Sequence, residues 1–363
     1  MVSRRAFLGV PFAVACARRG SPGYQGYAFV ANQEGRAVAA VDLQALVVAR
    51  HIAIEGAPAQ ILASQTRPAV YALAPDEGAI FEIQSDRLSV KDKLSVGPAV
   101  AMSLDAQDRA LYVLTRDPKA LARISLDAFK LEWRVALPEM PVEFALSPDG
   151  KTAAVSLGRW VRLVDLMNRT LGPPIAEGEF GTLCFLSDSA TLITADRGSR
   201  RLSLFDAPSA KLITHLPLAV RPDNLCFNSD GGQLFVTGDG LDAVVIVYPY
   251  HTPEVGQTVV AGHNPGPMGA SAQYLFIASP EAGNVSVLDV RTQKVTAVVA
   301  VGSDPGCVVV TPDDQYALVL NRRSGDMTVL RIERILPNRP NPAAVRTVIP
   351  VGSRPVSAAV RSV

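Results

Sequence analysis

Short apolar runs bounded by turn residues recur along the chain at nearly constant spacing. They include Tyr27-Ala28-Phe29-Val30-Ala31, Val70-Tyr71-Ala72-Leu73, Leu111-Tyr112-Val113-Leu114 and Ala153-Ala154-Val155-Ser156. The series continues with Leu192-Ile193-Thr194-Ala195, Leu234-Phe235-Val236-Thr237, Leu275-Phe276-Ile277-Ala278 and Ala317-Leu318-Val319-Leu320. The spacing predicts eight units of about 41 residues filling 27–363. Each unit has the same grammar. One apolar run leads into a turn such as Ser147-Pro148-Asp149-Gly150 or Thr311-Pro312-Asp313-Asp314, whose Pro, Asp and Gly suit tight backbone reversals. The run named above follows, then a polar loop. A third run then ends in Asp, as in Ala40-Val41-Asp42 and Val287-Leu288-Asp289, and a fourth closes the unit. The runs are short and β-branched, so they read as strands. No long segment carries a helical period.

Four strands per unit at this period predict an all-β fold, a single β-propeller of eight four-stranded blades. Seven blades is the alternative, but it would need about 48 residues per blade and would leave one repeat unassigned. A lone four-stranded unit exposes both faces, so the ring must close. The first unit, from Tyr27, lacks its first strand, and Pro355-Val356-Ser357-Ala358-Ala359-Val360 supplies a matching one. The C-terminal strand is therefore expected to complete blade one.

Composition agrees with a folded body. Apolar residues are 48% and charged residues 19%, the reverse of a disordered chain. Lys+Arg 35 against Asp+Glu 34 leaves a net charge of +1, which gives no footing for nucleic-acid binding. The N-terminus changes the picture more. Ser3-Arg4-Arg5-Ala6-Phe7-Leu8 resembles the twin-arginine export motif, and the apolar run that follows is too short to span a bilayer as a helix. Residues 1–15 are expected to be an export signal, 16–26 a linker and 27–363 the propeller. Ala13-Val14-Ala15-Cys16 resembles a lipoprotein cleavage box, with Ala13 where Leu is usual, so lipidation at Cys16 and simple cleavage both stay open. The expected location is periplasmic or otherwise outside the cytoplasm, with membrane contact only through such an anchor. Cys184, Cys226 and Cys307 lie in apolar runs without C-x-x-C spacing and read as small core residues rather than a disulfide framework.

The strand-end motif recurs as Val96-Gly97-Pro98, Val301-Gly302-Ser303-Asp304-Pro305 and Val351-Gly352-Ser353-Arg354-Pro355. With Leu234-Phe235-Val236-Thr237-Gly238 and the third runs ending in Asp, it resembles the YVTN-type, YncE-like propeller repeats, which are related to the lactonase-type propellers. The resemblance covers nearly all of 27–363. It speaks chiefly for the fold, since the matching residues are strand and turn residues.

Candidate chemistry falls on one face, where the second-to-third strand loops meet the connections entering each inner strand. By blade, the loops carry Arg116 (three), Arg159 (four), Arg197, Arg200 and Arg201 (five), Asp239 and Asp242 (six), Glu281 (seven), and Arg322 and Arg323 (eight). Blades three to five thus read as a basic arc for an anionic ligand or charged partner. The alternative is that loop arginines serve solubility. The entries carry Glu143, Glu179, Arg221, Asp223, Asn224, His263, Asn264, Asp304 and Arg354. His263 and Asp304, in neighbouring entries, are expected to approach a common point. No His-x-His, His-Glu-x-x-His, phosphate loop or nucleophile elbow occurs, so no metal is called for.

Three functions follow. The first is an exported, monomeric, non-catalytic propeller without a cofactor. It binds a protein or anionic cell-envelope ligand through Arg116, Arg159, Arg197, Arg200, Arg201, Asn224, Asp304, Arg322 and Arg323. The second, implied by the family resemblance, is a lactonase-like hydrolase opening a cyclic ester, with Glu143 or His263 as base and Arg221 or Arg354 opposing the oxyanion. The third is a cofactor-binding ring. Two Trp argue against a quinone cofactor, and haem leaves only His263 as an axial ligand.

Overall fold

The structure is a computed structural model that describes residues 23–336 and 342–362. The predicted export signal and Cys16 lie outside the described residues. Thirty-two strands form eight four-stranded antiparallel sheets. Blades two to seven are continuous, at 60–95, 99–136, 143–177, 180–217, 224–260 and 268–300. Blade eight spans 305–350, and two short 3-10 turns, Ile332–Arg334 and Pro342–Ala344, precede its outer strand. The inner strands of neighbouring blades pack on one another and wall the centre of a ring. The chain is thus an eight-bladed β-propeller.

Blade one closes the ring as expected. Its strands Gly26–Asn32, Ala37–Asp42 and Val47–Ala53 are completed on the inside by Pro355–Ser362. Ala28 pairs with Val360 and Val30 with Ala358.

The second strands are buried at nearly every position because both of their faces are covered. Alternate side chains point to opposite sides of a strand. Ala28 and Val30 pack on Leu318 and Val329 of blade eight, while Phe29 and Ala31 pack on Val70 and Phe81 of blade two. The core is accordingly divided into eight clusters, one between each pair of consecutive blades. Outer strands are half solvated, and Ser89–Ser95 is mostly exposed. In every blade the pairing of third with outer strand carries a register irregularity, which raises local twist toward the rim.

The Val-Gly motif also has a physical reason. It lies where the chain leaves one blade and passes over the end of the next blade's second strand. That end carries a buried polar residue. Asn32 donates from Nδ2 to Val351 O at 2.7 Å, and a side chain on Gly352 would put its Cβ 2.8 Å from the same nitrogen. Gly352 also holds φ +131°, in the range that favours glycine.

Deleting 355–363 removes the inner strand of blade one and uncovers the ladder of Gly26–Asn32. Losing a paired strand with several packed side chains should lower the melting temperature by roughly 10 °C or more. Thermal unfolding followed by circular dichroism reads this; an unchanged midpoint would contradict ring closure by this strand.

Candidate functional site

Antiparallel strands place the second-to-third loops and the inner-strand entries on the same face. The entries of blades seven, eight and one share a local form: Gly262-His263-Asn264-Pro265, Gly302-Ser303-Asp304-Pro305 and Gly352-Ser353-Arg354-Pro355. The residue before each proline is left-handed, with φ 46° at Asn264, 59° at Asp304 and 53° at Arg354. Residues before proline ordinarily stay extended, so this is a strained backbone held by its surroundings. The strain has a common result. Each of the three side chains reaches the second-to-third loop of its own blade. Asn264 Nδ2 donates to Glu281 Oε1 at 2.9 Å. Arg322 donates to both oxygens of Asp304, at 2.6 and 3.1 Å. Arg354 lies 3.5 Å from Glu34.

The same logic absorbs most of the predicted basic arc. Arg116 pairs with Asp76 at 2.7 Å and Arg197 with Asp223 at 2.6 Å, each across a blade boundary. Arg159 pairs with Glu177. Arg201 Nε lies 3.3 Å from buried Asp196, and Arg221 lies 3.5 Å from Glu179. With Arg322 and Arg354, carboxylates of the ring itself thus meet seven of the face's arginines. Arg200 and Arg323 differ. Both are exposed, and neither guanidinium has a partner among the described residues.

Arg323 stands at a cavity of about 480 Å3 on the seam between blades eight and one. Its walls include Arg322, Ser324, Ser353, Arg354, Glu34 and His51. Three guanidiniums and one carboxylate make this wall net positive.

His263 is exposed and bridges two carboxylates, with Nδ1 3.1 Å from Asp242 and Nε2 3.2 Å from Glu281. The hydrogen bond and charge of Asp242, then the charge of Glu281, hold the imidazole above its ordinary value. The Asn264 N–H and His263 hold Asp242 below the carboxylate range. Both ring nitrogens face carboxylates, an arrangement suited to the imidazolium rather than to an axial ligand or a base. The expected meeting of His263 with Asp304 does not occur, because Asp304 is taken by Arg322. Glu143, His263, Arg221 and Arg354 occupy separate surroundings, and no hydrogen bond or ion pair joins any two of them among the described residues. No group of three or more His, Cys, Asp or Glu is placed to hold a metal among the described residues.

The inner wall holds a second constellation. Side chains at one level of the inner strands hydrogen-bond to the next blade. Ser357 Oγ accepts from Ile61 N at 3.2 Å, and Thr182 Oγ1 donates to Asp223 O at 2.9 Å. Gln60 both donates to Met102 O, at 2.9 Å, and accepts from Met102 N, at 2.8 Å. Gln60, Glu143 and Asn224 each open a four-residue inner strand. Glu143 does not bridge. One oxygen accepts from Phe144 N at 2.9 Å, and the other has no partner among the described residues. Glu143 lines a cavity of about 430 Å3 together with Gln60, Leu62, Val100, Ala101, Met102, Ser103 and Phe144. Burial pushes its carboxyl above the usual range, and no cationic side chain opposes that.

The three cysteines among the described residues are free thiols on inner strands. Burial pushes Cys184 up to about 12 and Cys226 and Cys307 up to about 11, so they behave as apolar wall residues. Sequence reasoning missed the cavity residues Gln60, Val100 and Ser103. Aligning the strand openers Gln60, Glu143 and Asn224 would have found Gln60.

No protein-family model matches the chain, and no curated protein matches its sequence. Solved structures do. AztD from Citrobacter koseri superposes with a TM-score of 0.71 at 14% identity, covering 93% of this chain and 99% of that chain. The dihydro-heme d1 dehydrogenase NirN in complex with DHE gives 0.65 at 14%, covering 77% and 66%. Hydrazine synthase from Kuenenia stuttgartiensis gives 0.58 at 18%, covering 76% and 95%. At such identities the likeness establishes the shared propeller fold alone.

Two outcomes follow from the titrating groups. A carboxyl raised in the folded state stabilises least at high pH: stability is lost as pH rises from the unfolded value, about 4.3, through the folded one. Glu143→Gln should therefore melt higher than the parent at pH 7–8, with the gap closing at pH 4 and below. A variant that melts lower at every pH would contradict the unpaired carboxyl. For His263, proton NMR should place the imidazole midpoint above the ordinary ~6.5, and Asp242→Asn should lower it. A midpoint unmoved by that change would overturn the bridge.

Proposed function

We propose that the chain is an exported, non-catalytic binding propeller of the YVTN type. It takes an anionic envelope ligand at the seam of blades eight and one. The supporting observation is Arg323. The ring pairs seven of its face arginines with its own carboxylates, yet leaves this one unpaired at the mouth of a net-positive cavity. Arg322, fixed by Asp304 on two hydrogen bonds, and Arg354 present further donors that need no reordering on binding. Ser324 and Ser353 add hydroxyls suited to carboxylate or phosphate oxygens. NirN, a neighbour in fold, is described with a bound ligand, which fits a ring used for capture. The export motif and the Cys16 box favour a periplasmic or lipid-anchored location and a monomer facing envelope ligands. The hydrolase and haem readings gain no such support, since the groups they need are not gathered.

Citrate, a small polyanion, is a suitable probe. Titration calorimetry should show binding that weakens with ionic strength. Arg323→Glu should lower affinity about tenfold or more, the scale of one charge-assisted hydrogen bond of roughly 1.5–3 kcal/mol. Arg200→Glu, at the other unpaired guanidinium, should leave it unchanged. No citrate binding, or equal loss in both variants, would contradict the seam site.

A further inference from the structure

The geometry points to a second binding site on the inner wall of the ring, at blades two to four, that takes a small organic cation with an apolar body against Glu143. It is independent of the seam and of opposite charge preference.

The chemistry of the wall is specific. Glu143 opens the inner strand Glu143–Leu146 at the level where Gln60 in blade two ties its neighbour's backbone through both ends of its amide. An ionised carboxylate cannot do this, because it has no proton to donate to a carbonyl. Glu143 therefore does not serve the inter-blade belt, and only the adjacent Phe144 N–H satisfies it. Glu143 lines a cavity of about 430 Å3 whose polar surface is interrupted by the apolar residues Leu62, Val100, Ala101, Met102 and Phe144.

No charged side chain among the described residues compensates it. The inner strands Gln60–Ala63 and Ala99–Leu104 carry no titratable side chain, nor does the blade-four second strand Thr152–Leu157. On the blade-five side, Phe180–Phe185 carries only Cys184, which stays a thiol, and the preceding Glu179 is turned to Arg221. A half-buried carboxylate without a cation carries a desolvation cost that a protein rarely retains without a use for it. A ligand ammonium group would supply the missing counter-charge, and its hydrocarbon portion would cover the apolar wall. An anion or a neutral apolar molecule would leave the carboxylate uncompensated. Binding should strengthen as pH rises through the range in which Glu143 ionises, since primary amines stay protonated there.

The test uses the full chain and three amines (ethanolamine, 4-phenylbutylamine and spermidine), with 4-phenylbutan-1-ol as the uncharged isostere. Calorimetry at pH 7.5 should show 4-phenylbutylamine binding at least tenfold tighter than the alcohol. Glu143→Gln should weaken it tenfold or more and leave citrate binding intact. Ala101→Lys places a cation in the cavity and should abolish amine binding as well, so the outcome does not rest on one variant. Arg323→Glu should leave amine affinity unchanged, which separates this site from the seam. Failure of all three amines to bind, equal affinity for amine and alcohol, or amine binding untouched by Glu143→Gln would each overturn the site.

Discussion

Every blade of this ring has two apolar faces, and neither can meet water. Phe29 and Ala31 on one side of a strand and Ala28 and Val30 on the other must each find a neighbouring sheet. Only a closed circle gives all eight blades two neighbours, and only the return of Pro355–Ser362 to blade one closes it. The clustered core, the solvated outer strands and the buried polar residues under the crossover glycines all follow from that requirement. So does the availability of function. Strand residues are committed to packing, which leaves the loop face and the inner wall free to carry chemistry.

On the loop face the chain directs its charges mainly inward. Exposed ion pairs contribute little stability singly, typically well under ~1 kcal/mol. Their effect here is to position: Asp304 fixes Arg322, Glu34 meets Arg354, and Asp242 with Glu281 holds His263 and Asn264. The left-handed residues before Pro265, Pro305 and Pro355 aim these contacts. Against so many internal pairs, the groups left without one acquire meaning. Arg323 at the seam and Glu143 on the inner wall are of opposite sign and sit in different cavities.

The fold was legible because its determinants are local and repeated. The period of the apolar runs set the blade count, and the missing first strand of the first unit announced the closure by residues 355–360. The Val-Gly motif was visible as a pattern, though its cause, a buried Asn beneath a glycine, was not. The site was less legible. Arg116, Arg197 and Arg201 read as a basic arc because one-dimensional charge counting cannot see Asp76 and Asp223 across a blade boundary, or Asp196 buried beside Arg201. His263 and Asp304 read as neighbours in the sequence repeat, yet Asp304, left-handed before Pro305, is held by Arg322 of its own blade, while His263 bridges Asp242 of blade six and Glu281 of blade seven. The sequence offers Glu143 as a base, but its distinguishing property is its distance from any cation among the described residues. That depends on four other strands and is not written in its own segment.

The central claim is that the ring compensates most of its face charges internally and leaves the Glu143 carboxyl unpaired on its inner wall. Carbon-13 NMR of glutamate carboxyls through a pH titration tests it most directly. The account predicts one resonance titrating above the ordinary carboxylate range, absent in Glu143→Gln and shifted down when 4-phenylbutylamine is added. A spectrum in which every glutamate titrates at or below about 4.3, with the resonance of Glu143 among them, would contradict it.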